Sequence, residues 1–239
     1  MAKRNTVSRA LAVIEEIARR QPIGVSELSR VLDEDKSAVQ RALSTLAEEG
    51  WIQAQPQKPT RWELSNRIFM VGALAHNPND LRIRARPVMA ELREKTNETV
   101  ILNVVSGRIL MVSEVLESAQ LLRVSAGVGM AIPPRDSATG RAMLARMTPE
   151  ERMDFLESPP DEAMLEDFEQ VLQHGYFSSR ESWGWASTNI AAPIFDSHGK
   201  PHAALVISAP ADRLSPSDCK KFGKLVATAA EKLSTGFPS

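Results

Sequence analysis

The side chains best suited to recognising another molecule lie on one face of a predicted helix, Lys36 to Glu49. With about 3.6 residues per turn, its apolar residues share one side of the helix. Six polar or basic residues lie on or beside the opposite side: Lys36, Ser37, Gln40, Arg41, Ser44 and Thr45. Arginine, glutamine and hydroxyl side chains bind base edges and phosphate oxygens, so this face is typical of DNA recognition. An ordinary solvated helix face is the alternative.

Two more helices and a strand hairpin surround this helix in the sequence. Apolar residues at helical spacing predict a first helix opened by Asn5 or Thr6 and a second one capped by Ser26, while Asp35 is expected to cap the third. The alternating segments 51–55 and 61–64 predict the hairpin. This order of elements predicts a winged helix-turn-helix.

Four further basic residues accompany these elements: Arg4, Arg9, Lys58 and Arg61. Together they are expected to contact the phosphate backbone, although each taken singly is more typical of a solubilising surface charge. Residues 1–75 carry eleven basic and nine acidic side chains, and the whole chain carries 29 and 30, a net charge of −1. Any contact with nucleic acid must therefore be local.

The composition and the missing motifs exclude several classes of protein. The chain of 239 residues has 43% hydrophobic and 25% charged residues, as in ordinary globular proteins. The single cysteine, Cys219, and four scattered histidines predict neither a disulfide nor a metal site. The sequence has no secretion signal and no long apolar run, so we expect a cytoplasmic protein without membrane contact. Without a GxSxG, HExxH, GxGxxG or Walker sequence, neither an enzyme nor a cofactor is expected.

The pattern of apolar residues in the rest of the chain predicts strands and separate helices. Strands are predicted at residues 100–105, 109–116, 121–128, 188–195 and 203–209, with helices at 137–147, 149–156, 162–174 and 216–233. This pattern predicts an α+β domain on an antiparallel sheet. We therefore expect three parts: a DNA-binding domain at 1–64, an apolar linker helix at 65–79 that packs between subunits, and a second domain at 80–239.

Several segments together resemble IclR-type bacterial transcription regulators over about residues 5–235. They are residues 6–14, 36–46, 49–52, 86–92, 96–100, 137–145, 191–196, 205–210 and 213–215. The resemblance implies a two-domain α+β protein whose second domain is a GAF- or PAS-like effector domain. It also implies a homodimer or homotetramer that binds promoter DNA and acts as a repressor or an activator.

The resemblance further implies where an effector binds. The corresponding residues are Val124, Ser137, Ala138, Thr139, Asn189 and Ser208. Alternation along the predicted strand adds Leu122 on the side of Val124. The helix that starts near Ser137 offers free N–H groups to a carboxylate, which favours a small organic acid, aromatic or short and aliphatic.

The sequence leaves several alternatives open. The chain has Arg135-Asp136 where family members commonly carry His-Ala, and Asn189 where they often carry cysteine. Arg135 either binds the anion or pairs with Asp136, and Trp183 and Trp185 either close over the ligand or fill the core. The alternative functions are an enzyme on a GAF-like domain and a constitutive DNA-binding or assembly protein without an effector.

Overall fold

The computed structural model describes residues 4–56, 58–74, 80–181 and 186–234. The chain forms two compact units, Met1–Asn77 and Pro78–Ser239. Among the described residues, no helix combines the length and the apolar character needed to cross a membrane. Nor does that part of the chain gather three or more His, Cys, Asp or Glu side chains in a cluster suited to a metal ion.

The first unit packs helices beside a small sheet. Its elements are α1 (Thr6–Arg20), β1 (Ile23–Gly24), α2 (Val25–Leu32), α3 (Lys36–Glu48), β2 (Ile52–Gln55), β3 (Arg61–Leu64) and α4 (Arg67–Leu74). The strands are antiparallel in the order β1-β3-β2. Helices α1, α2 and α3 enclose an apolar core that includes Ile17, Leu28 and Leu43, all completely buried. The predicted winged helix-turn-helix is confirmed.

The helix starts of this unit agree only partly with the prediction. The Asn5 side chain caps α1 by accepting a 2.8 Å hydrogen bond from a backbone N–H of the first turn. Helix α2 starts at Val25 and not behind a Ser26 cap, because β1 pairs with β3 as far as Gly24. Asp35 precedes α3 but makes no capping bond with its side chain. A strand as short as β1 has no periodicity from which it could be predicted.

The second unit is built on an antiparallel sheet with the strand order β6-β5-β4-β9-β8-β7. Its elements are α5 (Leu81–Thr96), β4 (Thr99–Ser106), β5 (Ile109–Leu116), β6 (Ala131–Ile132), α6 (Ala138–Leu144), α7 (Pro149–Arg152), α8 (Glu162–His174), β7 (Phe177–Glu181), β8 (Ser187–Phe195), β9 (Pro201–Pro210) and α9 (Pro216–Ser234). Helices α5 and α9 share one apolar core with the sheet, and α6 and α8 share a second one. The predicted α+β class is confirmed.

The strand predicted from Leu121 to Val128 is wrong. Residues 117–130 form a loop between β5 and β6, which we call the β5–β6 loop. Gly129, at φ +85°, turns the chain, and its N–H donates a 2.8 Å hydrogen bond to the Val112 carbonyl at the edge of β5. This turn occupies the edge on which a longer strand would pair.

Two smaller differences concern α7 and β7. Thr148 and Glu151 form a capping box that starts α7, but the helix ends at Arg152 instead of the predicted Leu156. The backbone N–H groups of residues 153–155 bond three residues back instead of four, and Leu156, which follows them, is buried. Strand β7 was not predicted, because its five residues contain one apolar side chain, Phe177, and it pairs only with β8 at the sheet edge.

Candidate nucleic-acid interface and ligand site

The six predicted DNA-recognition residues of α3 are all exposed. The opposite side of the helix, which includes Val39, Leu43 and Leu46, is buried in the core of the first unit. Within the described residues, the side chains of Arg41 and Lys36 take part in no hydrogen bond or ion pair. The third helix therefore presents donors and acceptors whose hydrogen-bonding capacity remains available to a ligand.

The basic residues of the hairpin have different surroundings. Lys58 is exposed between β2 and β3. Arg61 donates a 2.9 Å hydrogen bond to the Pro22 carbonyl and lies 3.8 Å from a Glu27 carboxylate oxygen, although its side chain stays 42% exposed. Lys58 is thus the hairpin cation directed to solvent, whereas Arg61 also holds β3 beside α2.

Arg4 and Arg9 have partners inside the unit that the sequence did not predict. Arg9 Nε lies 3.0 Å from Glu34 Oε2, and only 11% of the Arg9 side chain and 8% of the Glu34 side chain are exposed. Arg4 Nη1 donates a 2.8 Å hydrogen bond to the Leu32 carbonyl. Both arginines therefore connect the start of α1 to the turn between α2 and α3.

Three adjacent strands of the second unit place polar side chains next to each other, on the face that packs against α6. Thr99 of β4 lies opposite Ser208 of β9, and Ser208 lies opposite Asn189 of β8. The Ser208 hydroxyl donates to Asn189 Oδ1, and Asn189 Nδ2 donates a 2.8 Å hydrogen bond to the Ser187 hydroxyl. All four side chains are buried. We call Thr99, Ser208 and Asn189 the polar row.

The polar row brings together two predicted effector residues, Asn189 and Ser208, and adds Thr99. Thr99 Oγ1 donates a 2.8 Å hydrogen bond to the Val124 carbonyl and accepts one of 3.1 Å from the Ser118 N–H. The β5–β6 loop thus covers the row at Thr99, and the side chain of Val124 is buried. Thr99 lies in one of the segments that carry the resemblance, but only the pairing of β4 with β9 shows that it belongs to the row.

The predicted residues at the start of α6 are buried and already hydrogen-bonded. Ser137 is the N-cap: its hydroxyl accepts a 3.0 Å hydrogen bond from the Gly140 N–H and donates one of 2.6 Å to the Pro133 carbonyl. Thr139 Oγ1 accepts a 2.8 Å hydrogen bond from Asn103 Nδ2. The cap occupies one of the N–H groups that were expected to face an anion, while Ala138 is fully buried beside it.

The remaining predicted effector residues lie elsewhere. Arg135 pairs with Asp161 at 3.3 Å and donates a 2.8 Å hydrogen bond to the Ser158 carbonyl, so pairing with its neighbour Asp136 is wrong. Leu122 is 69% exposed, because the β5–β6 loop lacks the strand alternation that would have aligned it with Val124. Trp183 and Trp185 lie outside the described residues.

A winged helix-turn-helix combined with an α+β unit that holds a covered polar row defines a class of protein, the DNA-binding regulator with a separate effector domain. The family model of the IclR helix-turn-helix domain matches residues 6–56. The model of the C-terminal domain of the bacterial transcriptional regulator IclR matches residues 73–235. The chain belongs to the IclR family of bacterial transcription regulators.

Relatives of known function are regulators. The transcriptional repressor IclR of Escherichia coli K12 is 26% identical, over 97% of this chain and 89% of the repressor. The HTH-type transcriptional regulator BhcR of Paracoccus denitrificans is 29% identical, over 96% of this chain and 86% of BhcR. This chain is accordingly a DNA-binding transcription regulator and not an enzyme.

Solved structures show the same fold. An IclR regulator from Alicyclobacillus acidocaldarius has a TM-score of 0.81 at 21% identity, with 98% of both chains covered. An IclR homologue from Microbacterium hydrocarbonoxydans, complexed with 4-hydroxybenzoate, has a TM-score of 0.78 at 21% identity, covering 98% of this chain and all of that one. Both likenesses extend over the whole two-domain architecture.

Proposed function

We propose that a dimer of this chain binds a palindromic promoter operator through α3. The observation that carries the proposal is the exposed face of α3, which offers hydroxyls, an amide and two cations but no carboxylate before Glu48. In our proposal the base-reading surface consists of Lys36, Ser37, Gln40, Arg41, Ser44 and Thr45. Helices of this motif lie in the major groove, where such side chains reach base edges.

Phosphate contacts form a second part of the proposal. Lys58 is the main contact from the hairpin, because its ammonium group is exposed. Arg4 and Arg61 keep 41% and 42% of their side chains exposed beside their internal bonds, so they remain candidates for additional contacts. Arg9 has the least exposed side chain of the four predicted cations, and its contribution is to hold α1 against the turn before α3.

Dimerisation through α4 is the third part. No residue of this helix is buried, although five of them, including Ile68, are large and apolar. Phe69, Met70, Val71 and Leu74 are between 47% and 87% exposed. Such an exposed apolar surface is stabilised when the same helix of a second copy covers it. In a two-fold dimer each copy contributes the same surface to the contact. Such a dimer can associate further into a tetramer.

The fourth part concerns the effector. We propose that a small organic acid binds at the polar row, with Val124, Ser137 and Thr139 next to it. Thr99, Ser208 and Asn189 carry hydroxyl and amide groups, which can bind a carboxylate or a hydroxyl if they exchange their present partners. The complex of the Microbacterium hydrocarbonoxydans homologue with 4-hydroxybenzoate supports an aromatic acid.

Footprinting on a pool of genomic fragments would identify the operator, and 4-hydroxybenzoate together with a series of small aliphatic acids would then be tested for changes in operator affinity. Ser137→Ala combined with Asn189→Leu should abolish the response to the active acid and preserve basal DNA binding. Ser197→Ala, in the exposed turn between β8 and β9, is the control and should respond normally. A double variant that responds like the wild type would show that the effector binds elsewhere.

Thermodynamic linkage gives an independent measurement. An acid that changes operator affinity by some factor must bind to the DNA-bound and the free protein with affinities that differ by the same factor. Calorimetric titration with and without operator measures both values.

A further inference from the structure

The β5–β6 loop covers the polar row at Thr99, but apolar packing does not hold the tip of the loop in place. The Leu121 side chain is fully exposed and that of Leu122 is 69% exposed. Val124 is the buried apolar residue that follows them, and its carbonyl accepts the hydrogen bond from Thr99. Other contacts must therefore fix the part of the loop that precedes Val124.

Several of those contacts involve a buried carboxylate, Glu98, of which 3% of the side chain is exposed. Others join Ser118 to the Asn97 carbonyl and Arg123 to Glu117. Arg213, in the connection between β9 and α9, donates from Nη1 to both Glu98 oxygens, at 3.0 and 3.3 Å. Its Nη2 donates to the Leu122 carbonyl. The Gln120 side chain donates to Glu98 at 3.2 Å and to the Asn97 carbonyl at 2.8 Å. Glu98 therefore binds both Arg213, which binds the Leu122 carbonyl of the loop, and Gln120 of the loop itself.

The geometry requires an arginine at position 213. A guanidinium has separate N–H groups in a rigid plane, so one nitrogen can bind Glu98 while the other binds the loop carbonyl. A lysine has a single ammonium group, which can replace the positive charge but cannot bind Glu98 and the loop carbonyl at the same time. Burial raises the pKa of Glu98 above its ordinary value, and the Arg213 guanidinium and the Gln120 amide oppose that rise.

We propose that Arg213, oriented by Glu98, is a positioning residue that holds the β5–β6 loop over the polar row and thereby controls access to it. The proposal depends on the proposed function only for the identity of the site as an effector site. Glu98 and Arg213 lie in two separate segments that carry the family resemblance, 96–100 and 213–215, and the structure joins them in one ion pair.

A single reporter thiol tests the proposal without any effector. Cys219 is the only cysteine of the chain, so Cys219→Ser with Asn189→Cys leaves one thiol in the polar row. In this background, the reaction rate with methyl methanethiosulfonate measures how often the polar row becomes accessible to a small reagent. Arg213→Lys should react about tenfold faster or more, the factor expected when one hydrogen bond to a charged group is lost. Gln120→Ala should raise the rate by a smaller factor.

The control is Arg180→Lys, which alters an exposed ion pair with Asp212 in the same unit and should leave the rate unchanged. Hydrogen exchange of the full-length protein separates loop opening from general loosening. Protection should fall in residues 118–126 of the Arg213→Lys variant, while the amides of β4 and β9 stay protected. An unchanged thiol rate would overturn the proposal, and so would an equal loss of protection throughout the sheet.

The outcome is independent of the effector experiment. If the loop opens as expected but the Ser137→Ala and Asn189→Leu double variant still responds to the acid, the proposed site fails and the positioning role of Arg213 remains. If the loop does not open, the positioning role fails whether or not an acid binds at the polar row.

Discussion

At the scale of single residues, Arg41 and Lys58 differ in what they are expected to contact. Arg41→Ala should cost ~1–3 kcal/mol of operator binding and relax the base preference, because a bidentate contact to a base edge is lost. Lys58→Ala should weaken binding to all DNA alike and reduce the salt dependence by about one phosphate contact. Titrations of operator and scrambled duplexes at several salt concentrations measure both effects.

Arg19→Ala is the control for this comparison. Its guanidinium lies 2.6 Å from Glu16 and 3.8 Å from Glu15 on α1, so its charge is already balanced within the helix. We expect neither affinity nor selectivity to change in this variant. If Arg41→Ala behaved in the same way, Arg41 would not belong to the base-reading surface.

His202 predicts a pH dependence of stability in the second unit. Burial lowers its pKa below the usual value of 6.5, assisted by Arg84 and opposed by Asp196. The folded state therefore keeps the ring neutral where the unfolded chain binds a proton. The stability contribution is complete above about pH 6.5 and is lost as the pH falls towards the lower folded-state pKa. His202→Gln should reduce this loss, as measured by calorimetry of the full chain at about pH 7.5 and about pH 5.5.

His198→Gln provides the matched variant, because His198 is exposed in the turn between β8 and β9. The His198→Gln variant should lose stability on acidification to the same extent as the wild type. Equal pH dependence in the wild type and the His202→Gln variant would count against the role assigned to the buried ring.

At the scale of elements, α6 depends on a close backbone approach. A Cβ built on Gly140 would lie 1.8 Å from the Pro134 carbonyl oxygen, and Ser137 fixes the adjacent backbone through its bond to Pro133. Gly140→Ala should therefore destabilise the second unit by about 1–3 kcal/mol or more. This loss exceeds the gain of about 1 kcal/mol from the higher helix propensity of alanine. Calorimetry of the full chain measures the difference.

Gly127→Ala tests whether the effect is steric. A Cβ at Gly127, in the β5–β6 loop, would have no heavy atom within 4 Å, and the residue does not have a positive φ. Its thermal transition should stay close to that of the wild type. If the two variants were equally stable, the helix would not need the close contact with Pro134.

At the scale of the whole molecule, the proposed two-fold dimer predicts the form of the operator. Two recognition helices related by a two-fold axis bind half-sites about 34–36 Å apart, or a multiple of that spacing. An inverted repeat should therefore be protected in footprints, with two chains bound per site. Native mass spectrometry of the complex measures the number of chains. A monomer bound one to one on a site without symmetry would contradict the dimer.

Removing the apolar surface of α4 tests the same dimer from the protein side. Phe69→Ser with Leu74→Ser should shift the chain towards monomers and weaken operator binding, because both half-sites must then be bound independently. Analytical ultracentrifugation measures the shift. The matched control is Leu165→Ser with Leu172→Ser on α8, which removes exposed apolar surface from the second unit. Equal dimerisation in the wild type and the α4 variant would show that this helix is not the contact between subunits.

The sequence by itself determined the elements whose residues are close together in the chain. Helical spacing placed Val39 and Leu43 in the core and Arg41 outside it, and this was sufficient because a helix fixes the direction of each side chain by its own geometry. The same local pattern identified the winged helix-turn-helix and the α+β class.

Only the tertiary structure decided which distant residues meet. Thr99 joins Ser208 because β4 pairs with β9, and Glu98 binds Arg213 although 115 residues separate them. The alternation at 121–128 predicted a strand, but this segment is a loop in the structure. A strand forms only where a free sheet edge exists, and the turn at Gly129 occupies that edge. The periodicity of a sequence shows on which side of its own element a side chain lies. The register of the strands, the free edges of the sheet and the partners of buried charges depend on how the whole sheet is assembled.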